Sequence, residues 1–97
     1  MDTDRRASAR MLRRLRVLFA GDVVFTADVT ANGMCIETSH LVLPGTSVRG
    51  TITVKDRDFD FTAMVCWTRS EDPQHGRMGV RFLDVPGDFR AELESLH

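Results

Sequence analysis

The sequence predicts a mostly β protein, a small six-stranded antiparallel β-barrel with a short C-terminal helix and a basic N-terminal arm. Three observations lead to this prediction. Apolar residues recur at every second position in several short segments, which is typical of half-buried strands. Motifs rich in glycine, proline, asparagine and aspartate separate these segments and indicate tight turns. The chain of 97 residues has room for one domain with a modest core.

The chain begins with a basic arm, which we place at residues 1–14, ahead of a single barrel domain at residues 15–97. The first 20 residues hold six arginines and two aspartates, a charge of +4, whereas the rest of the chain carries −5. Apolar residues near the end of the arm have helical spacing, so we expect the arm to be mobile or partly helical. Its charge predicts a contact with an anionic partner.

The first three strands are predicted around two tight turns. Residues 15–20 and the segment from Val23 to Asp28 flank a turn at Ala20-Gly21-Asp22. The second turn runs from Thr30 to Gly33, and its Asn-Gly pair is expected to adopt positive φ angles. The segment from Met34 to Thr38 is the third predicted strand.

The strongest alternation predicts a long hairpin with one buried face. Before a polar turn at residues 55–58, one face carries Val48, Gly50, Ile52 and Val54. After that turn, the same face carries Phe59, Phe61, Ala63, Val65 and Trp67. The period of two is that of a strand, so we predict that Trp67 belongs to the core.

The last part of the chain is predicted as a loop, a strand and a helix. The segment from Ser70 to Gly76 is polar and contains a proline, so we expect a loop there. A strand follows at residues 78–82. Asp88 is a suitable N-cap for a short helix that we expect to cover an open end or edge of the barrel. The apolar face of that helix consists of Phe89, Leu93 and Leu96.

The other reactive residues argue against a disulfide, a metal centre and catalysis. Cys35 and Cys66 lie far apart inside apolar segments, so we expect reduced core thiols. The histidines are scattered without ligand spacing, and no nucleophile lies beside a base, so we expect neither a metal site nor an enzyme. The chain has no apolar run of membrane-spanning length and no signal sequence at its start, which predicts a cytoplasmic location.

Two motifs resemble those of PilZ domains. The segment from Arg10 to Arg14 is similar to the RxxxR pattern that precedes the first strand of that family. The segment from Asp28 to Gly33 resembles its (D/N)xSxxG pattern, with Thr30 in place of serine. Further similarity, to the LPxG, VxW and GVxF segments of the family, lies at residues 43–46, 65–67 and 79–82. Together the motifs extend over about residues 10–96.

The resemblance implies a receptor or adaptor that binds cyclic di-GMP, a bacterial second messenger, and signals to a protein partner. No further cofactor is implied. The implied ligand-binding residues are Arg10, Arg14, Asp28, Thr30 and Gly33. The arginines would contact phosphates and guanine edges, and Asp28 would accept bonds from a guanine N1–H and N2–H₂. Thr30 would supply its hydroxyl. Gly33 would supply the dihedral angles of the turn or let backbone approach the ligand. Ligand binding is expected to order the arm.

Several alternatives stay open. Arg6 and Arg10 form a second RxxxR, so the register of the arginine motif is not unique. The arginines could be a solubilising tail, and Asp28 and Thr30 could serve only to stabilise their turn. A PilZ-type fold could also act as a protein-interaction module without a ligand. A basic arm could bind a membrane surface or nucleic acid, but the acidic body of the chain argues against a duplex nucleic acid partner.

Overall fold

The computed structural model describes residues 13–96, which form a closed antiparallel barrel with one short helix. The elements are β1 (Arg16–Phe19), β2 (Asp22–Val29), β3 (Gly33–Glu37), β4 (Ser47–Val54), β5 (Arg57–Asp72), β6 (His75–Asp84) and α1 (Phe89–Glu94). Around the barrel, the strand order is β1-β2-β3-β6-β5-β4. The predicted fold class is confirmed. Of the predicted arm, only residues 13–14 lie within the described range.

Two hairpins of the barrel close through turns of two residues. Ala20 and Gly21 join β1 to β2 with φ angles of 54° and 82°, and Lys55 and Asp56 join β4 to β5 with 51° and 69°. Two successive positive φ angles match the right-handed twist of the flanking strands, which is why such turns are favoured in hairpins. Both turns fall where the sequence predicts them.

The alternating apolar residues fill the inside of the barrel, and α1 closes one end of it. Phe89 of α1 is fully buried, and its ring lies 5.5 Å from that of Phe59 and 5.3 Å from that of Phe82, both edge to face. Asp88 takes the predicted N-cap position, but its side chain makes no capping hydrogen bond. It accepts instead from Arg57 at the start of β5, and this hydrogen bond lowers the pKa of the Asp88 carboxyl.

The prediction of a polar loop from Ser70 to Gly76 is wrong. Strand β5 continues to Asp72 and β6 begins at His75, so only two residues turn the chain. The Gln74 N–H donates to Asp72, and this bond together with His75 lowers the pKa of the Asp72 carboxyl. Residues 69–75 at this end of the hairpin are all exposed, so no apolar alternation indicates a strand there.

Two predicted core residues, Cys66 and Trp67, lie at the surface. Val65 pairs with Val80 and is 1% exposed. Trp67 pairs with Gly79, the residue before Val80 in β6, and is 44% exposed. Cys66 is left between these pairs as the extra residue of a β-bulge and is exposed. The bulge reverses the alternation after Val65, so Trp67 faces outward and its prediction as a core residue is wrong. The prediction that Cys66 is a core thiol is wrong as well, because Cys66 is exposed, whereas Cys35 is buried as predicted.

A buried threonine fixes the point where the predicted arm meets the barrel. The hydroxyl of Thr26, which is 1% exposed, accepts from the Leu15 N–H at 2.9 Å and donates to the Arg13 carbonyl. The side chain of Arg13 in turn donates to the Leu96 carbonyl, at 2.6 Å, just beyond α1. Arg13 is therefore held between β2 and the end of the chain's helix.

Candidate functional site

The candidate site is the outer face of the barrel where β2, β3, β6 and β5 run side by side, which we call the four-strand face. The pairing registers arrange its residues in rows across the strands. The first row is Phe25, Glu37, Arg77 and Arg69; the second is Asp28, Cys35, Gly79 and Trp67; and the third is Gly33, Arg81 and Met64. Residues from distant parts of the sequence are thereby neighbours on one surface.

A depression of about 380 Å³ lies along the second row. Small residues, among them Cys35 and Gly79, form its floor, with Asp28 on one side and Trp67 on the other. Arg77, from the first row, also lines it. The depression thus combines a carboxylate, an indole and a guanidinium around a floor of backbone and small side chains.

Asp28 faces the depression because of a bulge in β2. Thr26 pairs with Ile36, and both are buried inside the barrel, whereas Asp28 pairs with Cys35. Ala27 has no partner in this register and is the extra residue of the bulge. Strict alternation would have turned Asp28 inward, so the inserted residue places its carboxylate on the outer face.

Trp67 lies directly over Gly79. A Cβ atom added to Gly79 would be 2.2 Å from the indole Nε1 and 2.3 Å from Cε2. Only glycine leaves room for the ring at this position, since real Cβ atoms do not approach other atoms so closely. Gly79 therefore lets the indole pack against the β6 backbone and form one wall of the depression.

The turn between β2 and β3 depends on the Thr30 hydroxyl. This oxygen accepts from the backbone N–H groups of Asn32 at 3.0 Å and Gly33 at 3.2 Å. The prediction of positive φ angles at Asn32 and Gly33 is wrong, since neither residue has one. Gly33 is required for another reason: a Cβ there would lie 2.3 Å from the Val80 carbonyl oxygen. Thr30 and Gly33 nevertheless both line the depression.

Arg14 lies beside the depression rather than in it. Its guanidinium is 4.4 Å from the centre of the Phe25 ring and donates to a Glu37 carboxylate oxygen at 2.8 Å. It lines a neighbouring depression of about 420 Å³, which also includes Arg77. The structure thus brings Asp28, Thr30 and Gly33 together, and Arg77 connects them to Arg14.

Of the predicted site residues, Arg10 lies outside the described residues. Comparison with known proteins shows the family of the chain. The PilZ domain model matches residues 4–96, which is nearly the whole chain. The chain belongs to the PilZ domain family. Among curated protein sequences, none matches it significantly.

The fold of this PilZ domain is similar to a solved structure, that of the Bacillus subtilis inhibitor of motility MotI/DgrA. The TM-score is 0.80 at 15% sequence identity, over 97% of this chain and 50% of that one. This PilZ domain therefore spans about half the length of that protein. At such low identity the likeness concerns the fold alone. PilZ domains are binding and adaptor modules, which directs attention to the four-strand face as a binding surface.

Two residues of this PilZ domain's four-strand face were missed or misassigned from the sequence. Trp67 was assigned to the core because the alternation before it predicts an inward side chain, and nothing in the sequence marks the bulge. Arg77 lies next to the stretch that was predicted as a loop, and its pairing with Glu37 joins residues 40 positions apart.

Other kinds of site are absent from the part of the chain that the structure describes. Between residues 13 and 96, no group of three or more histidine, cysteine, aspartate and glutamate side chains is arranged to hold a metal ion. In the same range, no helix is long and apolar enough to cross a membrane.

Proposed function

We propose that this PilZ domain is a non-enzymatic receptor for cyclic di-GMP that binds the ligand on the four-strand face and signals to a protein partner. The observation that carries the proposal is the opposition of Asp28 and Trp67 across one depression with a floor of small residues. A carboxylate and an indole are the two groups that a guanine base would use, and the family membership supports this ligand.

Guanine matches the two walls of the depression chemically. Asp28 has two carboxylate oxygens, which can accept from the N1–H and N2–H₂ groups on one edge of the base. Trp67 is 44% exposed and presents ring surface to the depression. Stacking of a base on an aromatic side chain contributes about 1–3 kcal/mol. The base would then be held by its edge and by its face at once.

The phosphates would be bound by arginine. Arg77 lines both depressions, and Arg14 lines the neighbouring one. A guanidinium binds a phosphate through two parallel N–H bonds, which combines charge with direction. A ligand with two bases and two phosphates needs more room than one depression of about 380 Å³. Arg77 lines both depressions, so one ligand could extend across it from one depression into the other. Arg10 remains a proposed contact, as part of an arm that becomes ordered over the ligand.

A protein partner is the second part of the proposal. The structural neighbour is named an inhibitor of motility, which supports a role in signalling to another protein. The ligand would change the surface that the arm and the four-strand face present. The proposal also includes a cytoplasmic location in a bacterial cell, and no duplex nucleic acid as a partner.

One pair of observations favours the alternative of a ligand-independent interaction module. The Thr30 hydroxyl is used by the backbone of its own turn, and Arg14 is paired with Glu37. Both motif residues thus have a structural role that requires no ligand. Under this alternative, the same face would contact the protein partner directly.

Calorimetric titration with cyclic di-GMP and with GMP separates the two functions. We expect the wild type to bind cyclic di-GMP and to discriminate against GMP, and Asp28→Ala to weaken binding by about 1.5–3 kcal/mol, the scale of a bond to a charged group. Asp60→Ala is the matched control, because Asp60 bonds Thr51 on the β4–β5 side of the barrel. Absence of heat at high micromolar ligand would favour the ligand-independent module.

The same titration resolves the register of the arginine motif. Arg14→Ala should weaken binding about tenfold to a hundredfold, and Arg6→Ala should change it much less. The reverse ranking would assign ligand binding to Arg6 and Arg10.

A further inference from the structure

Glu37 lies between the two arginines of the four-strand face. One of its carboxylate oxygens accepts from Arg14 at 2.8 Å, and the other lies 3.5 Å from a terminal nitrogen of Arg77. The three residues come from different parts of the chain: Glu37 from β3, Arg77 from the paired position on β6, and Arg14 from the segment ahead of β1. A single carboxylate therefore engages both guanidiniums that face the two depressions.

The orientation of Arg14 does not depend on Glu37 alone. Its guanidinium lies over the Phe25 ring at 4.4 Å, a cation–π contact that holds the plane of the group against β2. The side chain is still 65% exposed, so the face away from Phe25 is accessible. Removal of the Glu37 charge would leave Arg14 supported by the ring beneath it.

An anionic ligand competes with Glu37 for the same N–H groups. A phosphate that binds Arg14 or Arg77 end-on, through both terminal nitrogens, uses the nitrogen that contacts Glu37 in this structure. It would also come within a few ångströms of a like charge. Exposed ion pairs contribute only about 0–1 kcal/mol to stability, so the ligand can displace the Glu37 carboxylate. Because the ion pairs of Glu37 must first be broken, the affinity for the ligand is lower than it would be without them.

We propose that Glu37 acts as an internal competitor that sets the affinity of the four-strand face for anionic ligands. The inference rests on the proposed function, since it concerns the same arginines. Glu37 substitutes for the anion at Arg14 and Arg77, and the ligand must replace it. The domain therefore responds to a higher ligand concentration than its arginines alone would require.

The test is a calorimetric titration of Glu37→Gln with cyclic di-GMP, beside the wild type. Glutamine keeps an oxygen that can accept from Arg14 but removes the charge. We expect binding about three- to tenfold tighter than in the wild type, with a steeper loss of affinity as salt is raised. Glu94→Gln is the matched control, because Glu94 pairs with Arg90 on α1, away from the four-strand face. It should bind as the wild type does.

The combination with Arg14→Ala makes the test specific to the ion pair. If Glu37 competes for Arg14, the gain from Glu37→Gln shrinks in the Arg14→Ala background, whereas an undiminished gain would overturn the proposal in favour of a general charge effect. Unchanged or weaker binding by Glu37→Gln, with a melting temperature like that of the wild type, would also overturn it and make Glu37 a positioning residue.

The wild-type titration separates this inference from the proposed function. A wild type that binds while Glu37→Gln gains nothing contradicts the inference alone. No binding by either protein contradicts both, and binding by Glu37→Gln alone supports both.

Discussion

Asp28 and Trp67 lie on one cross-strand row of the outer face, and each is turned outward by a bulge in its own strand. Ala27 is the extra residue before Asp28, and Cys66 is the extra residue before Trp67. Between them the row contains Cys35 and Gly79. Two inserted residues, one in β2 and one in β5, therefore produce the two walls of one depression. The site depends on the strand registers that these bulges set.

The packing of Trp67 against Gly79 predicts the effect of adding a methyl group at Gly79. Gly79→Ala should destabilise the domain by about 1–3 kcal/mol, because the new Cβ forces the indole or the strand to move. Trp67 is the only tryptophan in the chain, so its fluorescence reports its displacement directly. Gly87→Ala is the control, since a Cβ there meets no atom within 4 Å. An unshifted emission spectrum and unchanged stability in Gly79→Ala would contradict the packing described for this wall.

The junction between arm and barrel predicts a large effect for a buried hydroxyl. Thr26→Val keeps the shape of the side chain but leaves the Leu15 N–H and the Arg13 carbonyl without their partner, which should cost about 1–3 kcal/mol in urea unfolding. Thr51→Val removes a surface hydroxyl that bonds Asp60 and should cost much less. Equal losses in the two variants would mean that Thr26 does not fix the junction.

Thr30 gives a prediction for the stability of the turn between β2 and β3. Thr30→Ser keeps the oxygen that accepts from Asn32 and Gly33 and should be about as stable as the wild type. Thr30→Ala should lose about 0.5–1.5 kcal/mol, the usual contribution of an intramolecular hydrogen bond. Thermal unfolding measures both. A stable Thr30→Ala variant would remove the structural role of this hydroxyl.

The pair of Asp88 and Arg57 predicts a dependence of stability on acid. The hydrogen bond from Arg57 holds the folded-state pKa of Asp88 below its ordinary value of 3.8, so the stabilisation is complete above that pH and is lost as the pH falls through the folded pKa. Asp88→Asn should melt at a lower temperature than the wild type at neutral pH. The two melting curves should converge as the pH falls through the folded-state pKa of Asp88, because the carboxyl then becomes neutral like the amide. A constant difference across that range would assign the effect to the cap position instead.

Much of the barrel follows from periodicity. The hairpin of β4 and β5 alternates strictly, its turn is polar, and Val48 to Val65 are placed as the pattern predicts. The segment from Asp28 to Gly33 also predicts three residues that the structure brings to one depression. Local patterns succeed here because a strand with one buried face allows only one register.

The rest of the site depends on relationships that no local pattern contains. The bulge at Cys66 breaks the period of two at one residue, so continued alternation places Trp67 inside the barrel. The contact of Glu37 with Arg77, 40 positions away, arises when β3 and β6 pair. Its contact with Arg14, 23 positions away, arises when β1, β2 and β3 lie side by side. Charges this far apart in sequence become neighbours through topology alone.

Backbone NMR of the labelled domain, titrated with cyclic di-GMP, tests the central claim most directly. The account predicts that the largest amide shifts fall on the four-strand face, at Gly33, Cys35 and Gly79. The amides of Thr53 and Asp58, on the β4–β5 side of the barrel, should shift little. Shifts concentrated on the β4–β5 side, or no shifts at saturating ligand, would contradict it.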